Sequence, residues 1–216
     1  MAVREFDDLP YARYLEDFSG PLTREGDYDT VHVRDVEFGD VDAGNGRFLE
    51  SALTSVTFEA GRYRRTRFND VWMRSVRWVG SDLGETEWLH TDVDGGALSG
   101  VRLDGALLRQ VVFQGCKFDS VNFRAAKLRE VTFTGCVLRA ADFAEATLTD
   151  VTFDDCVLNE TRLGRAELKN VDLRGARELG LTDGVASLRG ATITRLQLLD
   201  LAPAMADLLG ITVDKH

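Results

Sequence analysis

From Val36 to Gly175 the chain sets a large apolar residue at every fifth position. Twenty-eight consecutive pentapeptides fit, with centres at Phe38, Ala43, Phe48, Leu53, Phe58 and so on to Leu173. Of these 28 centres 22 are Leu or Phe, and ten of the chain's 12 phenylalanines are centres, which marks the column as a core position. The residue two before each centre is always Val, Ala, Gly, Ser, Thr or Cys, and the other three positions are mostly polar. Neither the helical period of 3.6 nor the strand period of 2 sustains such a pattern. A period of five, with one small and one large residue inward, predicts a chain that turns a corner every five residues. Four sides bring it back above its start, so strands of successive coils stack in parallel at about 4.8 Å, and seven coils reach roughly 35 Å. The expected fold class is an all-β solenoid, a quadrilateral β-helix of seven or eight coils. Its two ends expose strand edges and need caps.

The flanks set the expected domains. Residues 1–30 show no clear repeat and carry Phe6, Tyr11, Tyr14 and Phe18, read as an N-terminal cap with an aromatic underside or as a binding arm. Residues 31–195 hold the solenoid, with a loop insertion near 177–185 where Glu178 stands at a centre position. Residues 196–216 are a C-terminal helical cap or dimerisation segment. Thr194 suits an N-cap for a helix through Leu201, and Pro203 and Gly210 suit the start and end of a second one. Leu196, Leu199, Leu201, Met205, Leu208 and Leu209 give this segment an apolar face, either a lid on the last coil or a dimer interface.

Reading by 20-residue columns alters several first impressions. Cys116, Cys136 and Cys156 fall in one inward column, so they are expected as a buried thiol ladder rather than a disulfide or metal set. His90, Asp92 and Asp94 superficially suggest a cation site, but the two aspartates only flank the centre Val93, and the further oxygens a calcium loop needs are missing. The basic run Arg62, Arg64, Arg65 and Arg67 meets Asp82, Glu85 and Glu87 one coil on, which predicts cross-strand ion pairs rather than a nucleic-acid patch. Trp78 and Trp88 are centres, whereas Trp72 stands just before a centre and should point outward, either as an interface anchor or packed under a local loop or the N-terminal arm. Val137 and Val157 share an outward column, and Leu89 and Leu107 lie close together; these could extend a modest apolar patch.

The net charge is −10, but residues 1–55 hold 13 acids and five bases while residues 56–175 hold 18 acids and 17 bases. The acidity thus belongs to the N-terminal quarter. No apolar run reaches a membrane span, and the start lacks a signal peptide's basic and apolar stretches, so a cytoplasmic protein without membrane contact is expected. No nucleophile–base pair and no glycine-rich phosphate loop appears, so neither an enzyme nor a cofactor is expected. With 22 Arg against four Lys, a GC-rich bacterial source is the expectation.

The repeat resembles the pentapeptide-repeat family, whose motif A(D/N)LXX is matched well by AADFAEATLTD (140–150) and NVDLRGA (170–176). The resemblance implies a right-handed quadrilateral β-helix. It also implies possible roles, since some members are DNA mimics that bind DNA gyrase, protect against quinolones and dimerise through a C-terminal helix. The near-neutral repeat body argues against a duplex mimic. The reading from the residues is a non-catalytic interaction or scaffold module. Its partner would be an unidentified protein rather than nucleic acid, with a homodimer through the C-terminal segment possible. Its candidate interface residues are Trp72, Val137, Val157, Leu196, Leu199, Met205 and Leu208.

Overall fold

The computed structural model describes residues 2–213; residues 214–216 of the expected C-terminal segment lie outside the described residues. The five-residue period is written in the backbone. From Glu25 to Asn170 every fifth residue has a left-handed φ, and each is a corner. Six of these corners are glycines, at 80, 95, 100, 105, 115 and 135, where that conformation is unstrained. Between corners run strands of about three residues, each pairing in parallel with the strand 20 residues on, as in Trp72–Arg74 with Asp92–Asp94.

The coils present four faces. Face 1 is a ten-stranded sheet from Glu16–Phe18 to Ala191–Thr192. Face 2 is an eight-stranded sheet from Glu37–Gly39 to Glu178–Asp183, and face 4 is another from Asp27–Asp29 to Glu167–Lys169. Among the described residues face 3 is joined by a row of single bridges through Asp42, Arg62, Asp82, Arg102, Asn122, Asp142 and Arg162, and only its last coil is extended, where Arg162 pairs with Asp183. The centres fill the interior. Phe38, Phe58 and Trp78 stack at 5.6 and 3.8 Å, and Phe113, Phe133 and Phe153 at 5.1 and 4.8 Å. Most of the small positions that remain polar are satisfied, chiefly by the coil below; Thr86 donates within its own coil to the Leu83 carbonyl, and the Thr161 hydroxyl has no partner. Ser51, Ser81 and Thr91 donate to the carbonyls of Tyr28, Phe58 and Phe68. Cys116, Cys136 and Cys156 donate in the same way to Val93, Phe113 and Phe133, each at 3.4 Å. The thiols are fully buried and free. The thiol-to-thiol contact with Cys116, in which Cys136 keeps its proton, together with burial pushes the Cys136 thiol up to about 12.

Three features depart from the pattern. Strand pairing starts at Glu16, inside the stretch expected to lack repeats, but with an offset of 15 residues, Glu16 lying beside Val31. The first turn therefore has no strand on face 2. Residues 177–185, expected as a loop, are mostly strand: Glu178–Asp183 pairs with Val157–Arg162 through register shifts. One added residue sets Leu179, instead of Glu178, above Leu158, so the bulge keeps an apolar residue inward. The expected pair of C-terminal helices is one helix, α1, Arg195–Leu208, with Pro203 inside it. Pro203 and Leu199 are both exposed, so the carbonyl that Pro203 cannot serve stays hydrated and the helix continues.

Candidate interaction surfaces

The first surface lies on face 1, where Trp72 was expected either as an exposed interface anchor or packed under a local loop or the N-terminal arm, and the second reading holds. Trp72 is only 2% exposed, because residues 2–15 run across the coils and cover it. Val3, Phe6, Leu9, Ala12 and Leu15 recur every third residue, and two short 3-10 helices, Phe6–Asp8 and Ala12–Tyr14, put that period on one side. These residues pack on Ala52 and Trp72. The Phe6 ring meets Trp72 edge-on at 5.2 Å and lies 5.2 Å from His32. The indole Nε1 donates to the Arg4 carbonyl at 2.9 Å, and the Arg74 guanidinium sits 4.8 Å above the ring. Arg4 then reaches one coil further. Its Nε donates to Asp92 Oδ2 at 2.5 Å and its terminal nitrogen to the His90 carbonyl at 3.0 Å. Burial opposes the Arg4 charge, but the Asp92 carboxylate more than offsets it and holds Arg4 above its ordinary value. Burial lowers His32 below the usual histidine range, and Arg34 adds to this. The cation-site reading of His90, Asp92 and Asp94 thus dissolves into separate pairs. Asp92 serves Arg4, Asp94 serves Arg74 at 3.1 Å, and His90 lies 3.6 Å from Asp70. Among the described residues no group of three His, Cys, Asp or Glu is placed to hold a metal.

The second surface is on face 2, where Val137 and Val157 pair in register above Lys117. Val137 is 39% exposed and Val157 is half-buried, so this is a shallow patch.

The third surface is α1, and here two jobs are divided between two sides of one helix. Its N-terminus carries a reciprocal capping box between Thr194 and Gln197. The Gln197 amide also donates to the carbonyls of Leu173 and Ala176, at 2.8 and 3.0 Å, closing the last coil. Leu201, one turn on, is buried beside it. The opposite side does no capping: Leu196 is 74% exposed and Leu199 63%, with Leu198 also exposed. Met205 is half-buried, and Leu208 is exposed at the rim of a cavity of about 590 Å³ lined also by Arg124, Gly164, Asp183 and Ala204. The helix ends in a Schellman motif, with Gly210 N–H to the Asp207 carbonyl and Ile211 N–H to that of Ala206. Leu209, Ile211 and Val213 beyond it are exposed as well. Of the expected interface residues, Leu196 and Leu199 share one open side, Val137 and Val157 lie apart on face 2, and Trp72 is covered.

The ion-pair lattice is as expected for Arg65 with Glu85 at 2.7 Å, Arg67 with Glu87 at 3.4 Å, and Glu145 with Arg165. Asp142 and Arg162 adjoin through the backbone, but the Asp142 carboxylate is taken by Arg124 at 3.3 Å.

A comparison with curated proteins finds no match. Among solved structures, the chain is similar to HetL, a pentapeptide repeat protein involved in heterocyst differentiation regulation from the cyanobacterium Nostoc sp. strain PCC 7120. The two are 18% identical over 81% of this chain and 92% of that one, with a TM-score of 0.47. Full-length QnrB1, a plasmid-mediated fluoroquinolone resistance protein, is 14% identical over 91% of this chain and 100% of its own, with a TM-score of 0.49. A pentapeptide repeat protein of the Arabidopsis thaliana thylakoid lumen is 14% identical over 57% of this chain and 76% of its own, with a TM-score of 0.44. Residues 95–163 match the family model described as pentapeptide repeat region. The same register continues on both sides of that match, in strand pairing at 20-residue offsets and in a left-handed corner every fifth residue, and the body of this chain is a parallel β-solenoid built on a five-residue period.

Proposed function

We propose that this chain is a non-catalytic interaction module that pairs with a second copy through the outer side of α1 and offers its solenoid faces to a protein partner. The observation that supports pairing is the unused side of that helix. Capping the last coil needs only Gln197 and Leu201, yet Leu196 and Leu199 project away from the solenoid and the apolar run continues through Leu209, Ile211 and Val213. A dimer buries these side chains at about 25 cal/mol per Å² of apolar surface removed from water. The solenoid suits a binding role, because side chains at fixed spacing on a stiff frame lose little freedom on association. Light scattering on the full chain and on the Leu196→Glu/Leu199→Glu variant tests the pairing. The variant is expected to be a folded monomer, because neither leucine touches the core, with melting lowered only by the loss of pairing and no longer dependent on protein concentration.

Modulation of DNA gyrase by duplex mimicry would call for a continuous acidic face. Face 3 instead alternates Asp42, Arg62, Asp82 and Arg102 along one row, and face 4 sets Arg47 and Arg67 between Asp27 and Glu87. Such rows are locally neutral, which favours a partner other than a duplex-binding site.

A further inference from the structure

Among the described residues the ion-pair lattice leaves several bases without a partner: on face 2 Arg77 and Lys117 stand apart with Ala97 between them, whereas on face 4 like charges adjoin. Arg47 and Arg67 are stacked like charges, but Asp27 lies below and Glu87 above, and both arginines are paired. In the neighbouring row Arg109 stacks directly on Arg129, with Leu89 below and Thr149 then Lys169 above, so neither arginine has an acid beside it in the row. Arg129 reaches Glu130 at the corner, at 3.2 Å. Among the described residues Arg109, Lys127 and Lys169 have no carboxylate within 4.0 Å. Like charges directly opposite each other destabilise a sheet, so the fold alone does not account for this row. Beside it Leu107, between Glu87 and Lys127, is 42% exposed, and Leu89 is half-buried diagonally below. Gly105 and Ala125 keep the adjoining corner low.

We propose that this part of face 4 docks an acidic protein segment that carries an apolar residue between its carboxylates. The carboxylates would take Arg109, Lys127 and Arg129, and the apolar residue would cover Leu107 and Leu89. The overall charge of −10 does not prevent this. The last acid of the acid-rich quarter, Glu50, lies three strand spacings below the Arg109 coil, roughly 14 Å, beyond a screening length of about 8 Å at physiological salt. Nucleic acid fits less well, since the basic row is short and Glu130, Glu145 and Asp150 border it. The surface is separate from α1 and does not depend on pairing through that helix.

The test is fluorescence anisotropy with the full chain and a labelled twelve-residue peptide repeating Glu-Leu-Glu. Binding that weakens as salt is raised is expected, falling at least tenfold in Arg109→Glu/Arg129→Glu and several-fold in Leu107→Ser. Arg77→Glu, on face 2, and Leu196→Glu/Leu199→Glu are expected to leave it unchanged. No binding by the unaltered chain, equal binding by Arg109→Glu/Arg129→Glu, or an equal loss in Arg77→Glu overturns the proposal. A labelled DNA duplex that binds more tightly than the peptide, with the same sensitivity to Arg109→Glu/Arg129→Glu, replaces the acidic protein with nucleic acid and overturns it as well.

Discussion

Single side chains in this solenoid are governed by how little room and water the interior offers. Tyr63 is the clearest case. Its ring is fully buried between Phe58 and Trp78, edge-on at 5.3 and 5.1 Å, and its hydroxyl has no partner. Gly61 makes room, since a Cβ there would stand 2.7 Å from the Tyr63 oxygen. An unpaired buried hydroxyl costs about 1–3 kcal/mol of desolvation. Tyr63→Phe is therefore expected to melt at the same or a higher temperature, while Tyr63→Ala is expected to lose about 3–5 kcal/mol through the cavity. Both changes are read by thermal and urea denaturation. The cysteines follow the same logic. Buried thiols that donate to carbonyls, with ionisation suppressed at Cys136 and Cys156, are expected to resist alkylation in the native chain and to react together on unfolding. Their burial was legible in the sequence, because three identical residues at 20-residue spacing in the small column can only stack. The hydroxyl of Tyr63 was not: the period shows that a centre is inside, not what its polar atom meets there.

The N-terminal arm and α1 are the two elements the repeat does not dictate. The arm was legible only in part. A period of three through Val3, Phe6, Leu9, Ala12 and Leu15 is present in the sequence, but short 3-10 segments give too weak a signal to outrank the aromatic residues themselves. Trp72 stands out in the sequence for its position, which leaves an anchor or a residue under the arm as readings, and the contacts that decide for the arm are distant in the chain. The arm is expected to loosen on acidification. His32 is held low by burial, aided by Arg34 and opposed by Asp17 and Asp35, so the unfolded chain takes up a proton first as the pH falls. The stability contributed by neutral His32 is present above its ordinary value near ~6.5 and lost as the pH drops through the folded value. Tryptophan emission is expected to shift to the red between about pH 7 and about pH 5 as Trp72 is uncovered, and less so in His32→Gln. A second route to the same state is Arg4→Ala, which strands the buried Asp92 carboxylate. Its full cost would be about 3–5 kcal/mol for a buried pair, reduced here because Arg4 is one-third exposed. In α1, Gln197→Ala removes two hydrogen bonds to the last coil and half of the capping box. It is expected to cost about 1–3 kcal/mol and to speed amide exchange at residues 191–200.

At the scale of the whole molecule, the five-residue period carried the architecture, because each turn repeats the same inward and outward choices and errors do not accumulate. It missed the ends, where a 15-residue first turn and a one-residue bulge break the period to close the solenoid. It also placed Leu196 and Leu199 on an apolar helix without deciding whether that side faces the core or the outside. The structure separates the two sides: Gln197 and Leu201 close the last coil, and Leu196 and Leu199 remain open. Pairing through that open side is the central claim, and the mass of the full chain in solution tests it most directly. Light scattering at micromolar concentration is expected to give twice the 24.0 kDa chain mass, reduced to 24.0 kDa by Leu196→Glu/Leu199→Glu. A chain that stays at 24.0 kDa without the substitutions, or a dimer that survives them, contradicts the account.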